Sequence, residues 1–149
     1  MNTARGATAA DKSPSVTPAT VATVVVGIER CAFLGRLFGG FKHCVERYVV
    51  RALTELCGVG TLGAWEFVAL SNGGGYLRPP AKLYVISAPN FMNGRVSAEV
   101  AGIVASLFAL AELRLTYRAE GIFALRYGQL HEYAAAHPQA SLIFHYFEL

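Results

Sequence analysis

The chain is 149 residues long, the size of one ordinary domain, with 13 Lys and Arg against 10 Asp and Glu for a net charge of +3. It is 54% hydrophobic and 15% charged, where soluble domains usually run at about 45–50% and about 25%. This balance excludes an intrinsically disordered chain, a histone-like DNA binder and a heavily charged mimic of nucleic acid. The sole aspartate is Asp11, which excludes calcium loops and aspartic dyads.

The apolar excess is not a membrane span. The uncharged stretches Val100–Ala111 and Val21–Ile28 fall well short of the roughly 18–20 residues that cross a bilayer. The first twenty residues lack the continuous apolar core of a secretory signal. Cys31, Cys44 and Cys57 are odd in number and form no CxxC pair, so they read as free thiols in a reducing cytoplasm, with no metal expected.

In chain order, Met1–Thr20 is rich in Ala, Thr, Ser and Pro without periodicity and is expected to be a flexible leader. Val21–Ile28 is dense in β-branched residues and predicts a strand. CAFLGRLFGGF, with Gly35, Gly39 and Gly40, reads as a short turn-like connector around an apolar cluster. From Phe41 to Cys57 the apolar residues Phe41, Cys44, Val45, Tyr48, Val49, Ala52, Leu53 and Leu56 follow helical spacing. Lys42 with Glu46 and Arg51 with Glu55 are placed to pair on its outer face, and Gly58 and Gly60 supply its stop.

Short strands follow. Ala64–Leu70 leads into SNGGGY, where Asn72 and Gly73–Gly75 offer the positive φ of a tight reversal. Tyr76 and Leu77 form the return strand, stopped by Pro79 and Pro80. Lys82–Ser87 predicts a third strand, and Phe91–Val96 carries Asn93-Gly94 as another turn signal. Connections this short leave no room for helical crossovers, so the pairing must be antiparallel.

Ser97 is placed as an N-cap, with Glu99 in the first turn. The helix from Ala98 to about Leu115 is apolar on nearly all sides and must be central, its small residues suiting close backbone approach. A second helix, Glu120–Ala136, carries Phe123, Tyr127, Leu130 and Ala134 on one side. His137-Pro138 ends it and opens a terminal helix over Gln139–Phe147. The whole predicts an α+β fold: an antiparallel sheet of about four or five short strands with helices packed on it.

No constellation of catalysis stands out. Gly73–Gly75 lacks the Lys and the following helix of a phosphate loop, there is no GxSxG elbow, and Cys44 lies on an apolar stripe. The glutamates are scattered singly, His131 falls on the polar side of its helix, and His145 lies near the end of the last one. Tyr76, Arg78, Lys82 and Tyr84 alternate along neighbouring strands and could form an aromatic, cationic face for nucleic acid. The residues alone indicate a compact non-catalytic domain, with a small nucleic-acid-binding module as the alternative.

Three segments add a further reading. WEFVALSNGGGYLRP, SAEVAGIVASLFALAEL and LRYGQLHEYAAAHPQASLIF, in this order, resemble the ArdB/KlcA antirestriction family, as does the helix ending in Leu56-Cys57. The similarity covers roughly Val24 to Glu148. It departs from the family pattern at Gln139, where the family has a glutamate, at Glu148, where it tends to an aspartate, and in the glycine-bearing connector.

The resemblance implies an antirestriction domain over residues 21–149, borne on a plasmid or other mobile element. Such a domain protects incoming plasmid or phage DNA from type I restriction-modification systems in the bacterial cytoplasm, with no catalysis and no cofactor. The partner it implies is the type I restriction complex, free or in its DNA-bound translocating state, with direct DNA binding weak or absent and the chain a monomer or weak dimer. From Val21 onward the charges nearly cancel, so mimicry of DNA by carboxylates does not suit this chain. Loops held on a rigid scaffold usually carry function, which singles out Ser71, Asn72, Gly73, Gly74, Gly75, Tyr76 and Arg78 at the turn, and Glu148 with the C-terminal helix, as contact residues.

Overall fold

The β-branched run from Val21 forms strand β1 (Ala22–Val24), followed by a turn in which Gly27 has φ +67°. In a computed structural model of the chain, the residues described are 19–57, 65–80, 83–87 and 93–147. The predicted Gly58 and Gly60 helix stop and most of the predicted leader lie outside them. Helix α1 (Glu29–Phe38) follows, where a turn-like connector was expected. Phe33, Leu34, Leu37 and Phe38 bury one helical face, a spacing of i, i+1, i+4 and i+5 that the glycines disguised. Only Gly39, just past the helix end, has positive φ (+56°); Gly35 is an ordinary helical residue.

A 3₁₀ turn (Gly39–Phe41) leads into helix α2 (Lys42–Cys57), which buries Val45, Val49, Leu53 and Leu56. Phe41, Cys44, Tyr48 and Ala52 pack half-buried beside them, so the predicted stripe holds. The predicted pairing of Arg51 with Glu55 gives way to a contact between helices: Arg51 Nη2 meets Glu112 Oε2 at 3.1 Å and its guanidinium lies over the Tyr48 ring.

Strands β2 (Glu66–Leu70) and β3 (Gly75–Arg78) form a hairpin, with Val68 opposite Tyr76 and Ala69 opposite Gly75. β1 pairs antiparallel with β2, Thr23 opposite Ala69, giving the order β1-β2-β3. Among the described residues, strands β4 (Leu83–Ser87) and β5 (Asn93–Ser97) pair only with each other. The five strands are antiparallel, as expected, but they divide into two sheets. Asn93 and Gly94 lie within β5, opposite Ser87 and Ile86, rather than in a turn.

Helix α3 (Ala98–Thr116) is capped by Ser97, whose hydroxyl accepts from Val100 N at 3.1 Å. It is the hub of the core, with Val100–Leu107, Ala109, Leu110 and Leu113 buried. Gly102 lets it lie directly on β3, because a Cβ there would strike Leu77 O and the Arg78 backbone. Helices α4 (Gly121–Ala135) and α5 (Ala140–Phe147) close the other side, burying Phe123, Leu130 and Ala134, then Ile143 and Tyr146. The result is the predicted α+β class. Among the described residues, no helix is long and apolar enough to cross a membrane.

Candidate functional site

The β2–β3 turn is held from beneath by helix α4. Asn72 folds back on itself, its Oδ1 accepting from Gly74 N at 3.0 Å, a local bond suited to a tight reversal. Its Nδ2 donates to Gln129 O at 2.9 Å and to Glu132 Oε1 at 3.0 Å. Gln129 Nε2 returns a bond to Asn72 O at 3.0 Å. Arg126 joins three elements: Nε donates to Leu37 O at 2.9 Å, and Nη1 to Gly73 O and Gln129 Oε1, both at 3.0 Å. Burial pushes the Arg126 guanidinium below its ordinary value. The exposed Ser71 hydroxyl accepts from Val21 N at 2.8 Å, tying the start of β1 to the same turn.

Each glycine of this turn therefore has an internal duty. Gly73 takes φ +101°, and it alone of the three has positive φ. A Cβ at Gly74 would lie 2.8 Å from Gln129 Cβ, and one at Gly75 would lie 2.6 Å from Phe33 Cζ and 2.8 Å from Val68 O. The bare backbone is approached closely by this chain's own helices. Tyr76, expected beside the turn, is 1% exposed and stacks on Tyr133 with ring centroids 5.9 Å apart. Among the described residues its hydroxyl has no partner in good hydrogen-bond geometry, and burial, reinforced by Glu99 and the neighbouring Tyr133 hydroxyl, pushes its pKa far above the ordinary phenol value.

Arg78 is likewise spoken for. Its Nη2 meets Glu66 Oε1 at 2.7 Å and its Nη1 meets Glu99 Oε1 at 3.1 Å. Burial draws the guanidinium down, but the hydrogen bond and charge of Glu66 outweigh it and the net shift is upward. The other oxygen of Glu99 meets His137 Nε2 at 2.6 Å, and His137 Nδ1 accepts from Gln139 N at 2.9 Å. With Nδ1 accepting the backbone N–H, Nε2 is the ring nitrogen that faces Glu99 as donor. Sequence reading missed this Glu66–Arg78–Glu99–His137 chain because its members come from β2, β3, α3 and the α4–α5 junction. The signals present were a cap-flanking glutamate and a histidine before proline, both of which have purely helical explanations.

The described residues of the predicted nucleic-acid face do not come together. Tyr76 is buried, Arg78 is paired with two carboxylates, and Tyr84 belongs to the other sheet. Lys82, like Glu148, lies outside the described residues. His131 packs among aromatic rings, 4.9 Å from Phe144 and 5.7 Å from Tyr127, rather than on a polar surface. Cys31 is exposed, Cys44 and Cys57 are half-buried, and all three are free thiols. A shallow groove of about 500 Å³ runs past Thr20, Glu99, Tyr133, His137 and Gln139. Both imidazole nitrogens at its wall are engaged, so His137 offers no free base to a molecule lying there.

A family model described as "Antirestriction protein" matches residues 61–148. The antirestriction protein KlcA of Escherichia coli is 37% identical over 133 residues, covering 83% of this chain and 90% of that protein. The chain belongs to the antirestriction protein family. The uncharacterized protein YafX of Escherichia coli strain K12 is 30% identical over 141 residues, 89% of this chain and 92% of that one. Solved structures agree. The antirestriction proteins KlcA and ArdB, described as showing a novel fold and antirestriction activity against type I DNA restriction systems in vivo but not in vitro, supply a chain that matches at TM-score 0.79. That chain shares 34% identity, and the match covers 89% of this chain and 99% of that chain.

Proposed function

We propose that this chain protects incoming plasmid or phage DNA from type I restriction-modification systems, acting as a non-catalytic inhibitor in the bacterial cytoplasm. The observation that carries this reading is the likeness, over most of both chains, to proteins with antirestriction activity against type I systems in vivo. Two features of this chain favour inhibition by contact. The strongest polar constellation, Glu66–Arg78–Glu99–His137, is closed on itself by short bonds and has no free nucleophile or base. With 13 Lys and Arg against 10 Asp and Glu, the chain cannot copy the phosphate charge of DNA.

The target in this proposal is the restriction complex, free or on DNA. For the KlcA and ArdB proteins the activity is found in vivo but not in vitro, which favours a target state that forms only in the cell, such as the translocating complex. The contact surface in this proposal is the solvent side of the β2–β3 turn, at Ser71, Asn72 and Gly73, with the C-terminal helix ending near Glu148. Gly75 and Tyr76 support that surface from within. The test is the plating of unmodified phage on hosts with and without a type I system, each with and without this gene. Plating should rise only in the restricting host that carries the gene. Equal plating with and without the gene in that host would overturn the proposal.

A further inference from the structure

Among the described residues, the three-stranded sheet ends in an open edge at β1. Ser71 N donates to Val21 O at 2.9 Å and Val25 N donates to Phe67 O at 2.8 Å, which places the odd-numbered residues of this segment in the ladder with β2. Ala22 and Val24 therefore turn their N–H and C=O groups away from β2, and among the described residues no strand lies on that side. Charges, prolines and bulges are the usual devices that keep such an edge from pairing. Residues 19–28, ATVATVVVGI, contain no charge and no proline. Three strongly exposed large apolar side chains also lie along this segment: Val21 (59%), Val26 (70%) and Ile28 (85%).

We propose that β1 pairs antiparallel with β1 of a second copy of this chain. Placing Ala22 opposite the partner's Val24, and Val24 opposite the partner's Ala22, sets a two-fold axis at Thr23 and uses every outward backbone group of both residues in each copy. The three-stranded sheet is thereby doubled into one continuous sheet. Val21 then lies opposite the partner's Val25, covering apolar surface that the monomer leaves to water. The occupant follows from charge. Each copy carries +3 overall, but the seam itself is neutral on both sides, so like copies meet without repulsion. An acidic or basic partner would find no complementary charge there.

The test combines sedimentation and residue-resolved amide exchange on the full chain, from micromolar to millimolar protein. Over that range the chain should pass from monomer to dimer. Exchange at Ala22 and Val24 should slow by about tenfold or more, while Thr23 and Val25, already bonded to β2, stay protected throughout. Thr23→Lys sets like charges opposite each other at the axis and should abolish both changes with an unaltered circular dichroism spectrum. A chain that stays monomeric overturns the proposal. So does a dimer in which Ala22 and Val24 exchange freely, or a folded Thr23→Lys variant that dimerises like the wild type. Should that variant fail to fold, the wild-type exchange pattern alone decides.

Discussion

Gly75→Ala puts the packing beneath the turn to a quantitative test. The added methyl would meet Phe33 Cζ at 2.6 Å, Val68 O at 2.8 Å and Leu37 Cδ1 at 3.0 Å. Leu37 can rotate away. Val68 O is backbone of the paired strand, and the Phe33 ring is fixed in a stack on Phe67 at 5.5 Å, so relief requires moving β3 against β2 or α1 by several tenths of an ångström. Overpacking of this kind costs about 1–3 kcal/mol, which at about 2–4 °C per kcal/mol lowers the melting temperature by about 2–12 °C. Gly128→Ala is the matched control. It lies on the exposed face of α4 with nothing within 4 Å of the new Cβ, and should raise stability by about 0.5–1 kcal/mol through helix propensity. Thermal unfolding of both variants, followed by circular dichroism, decides the matter. A Gly75→Ala protein that melts with the wild type would refute the close approach of α1 to β3.

Other perturbations follow from the same contacts. Arg126→Met removes the bonds to Leu37 O and Gly73 O; it should cost about 1 kcal/mol and make the turn more sensitive to limited proteolysis. Burial raises the phenols of Tyr76 and Tyr133, so both stay neutral in the fold while the unfolded chain ionises above about pH 10. Stability is full below that pH and falls as pH rises beyond it. In a spectrophotometric titration at alkaline pH, the last tyrosines should ionise together with unfolding. Glu112→Gln should leave the melting temperature unchanged, since its ion pair with Arg51 is more than half exposed. Leu125→Glu, on the exposed face of α4 beside the turn, should keep the fold and lower protection of phage DNA if that side is the contact surface.

What the sequence made legible was local. The stripe of α2, the Ser97 cap, the nearly uniform apolarity of α3 and the stop at His137-Pro138 each rest on residues a few positions apart, and each is found in the structure. Helix α1 was obscured because Gly35, Gly39 and Gly40 signal turns by composition, although only Gly39 uses positive φ. Asn93-Gly94 misled for the same reason: a favoured turn pair sits inside a ladder when its neighbours supply the pairing. The division into two sheets depends on which faces α3 covers. The Glu66–Arg78–Glu99–His137 chain joins residues as many as 71 positions apart, a juxtaposition no spacing rule contains.

The turn shows why a motif that marks a family need not be the surface with which it acts. In SNGGGY, the serine ties β1, the asparagine and the first two glycines fit against Gln129 and Arg126, the last glycine lets Phe33 and Val68 approach, and the tyrosine fills the core against Tyr133. Every position has a reason inside the chain. A substitution such as Gly74→Ala, which crowds Gln129 Cβ at 2.8 Å, therefore disturbs the docking of α4 before any partner is involved, and lost protection in that variant would report on folding. Contact is better probed by groups whose atoms face water and hold nothing in place: the α4 residues Ala124 and Leu125 one turn away, both exposed. If protection of phage DNA fails when such positions are changed in a folded protein, the turn is a contact surface as well as a clasp. If it persists, the motif serves the fold, and any contact surface lies elsewhere on the molecule.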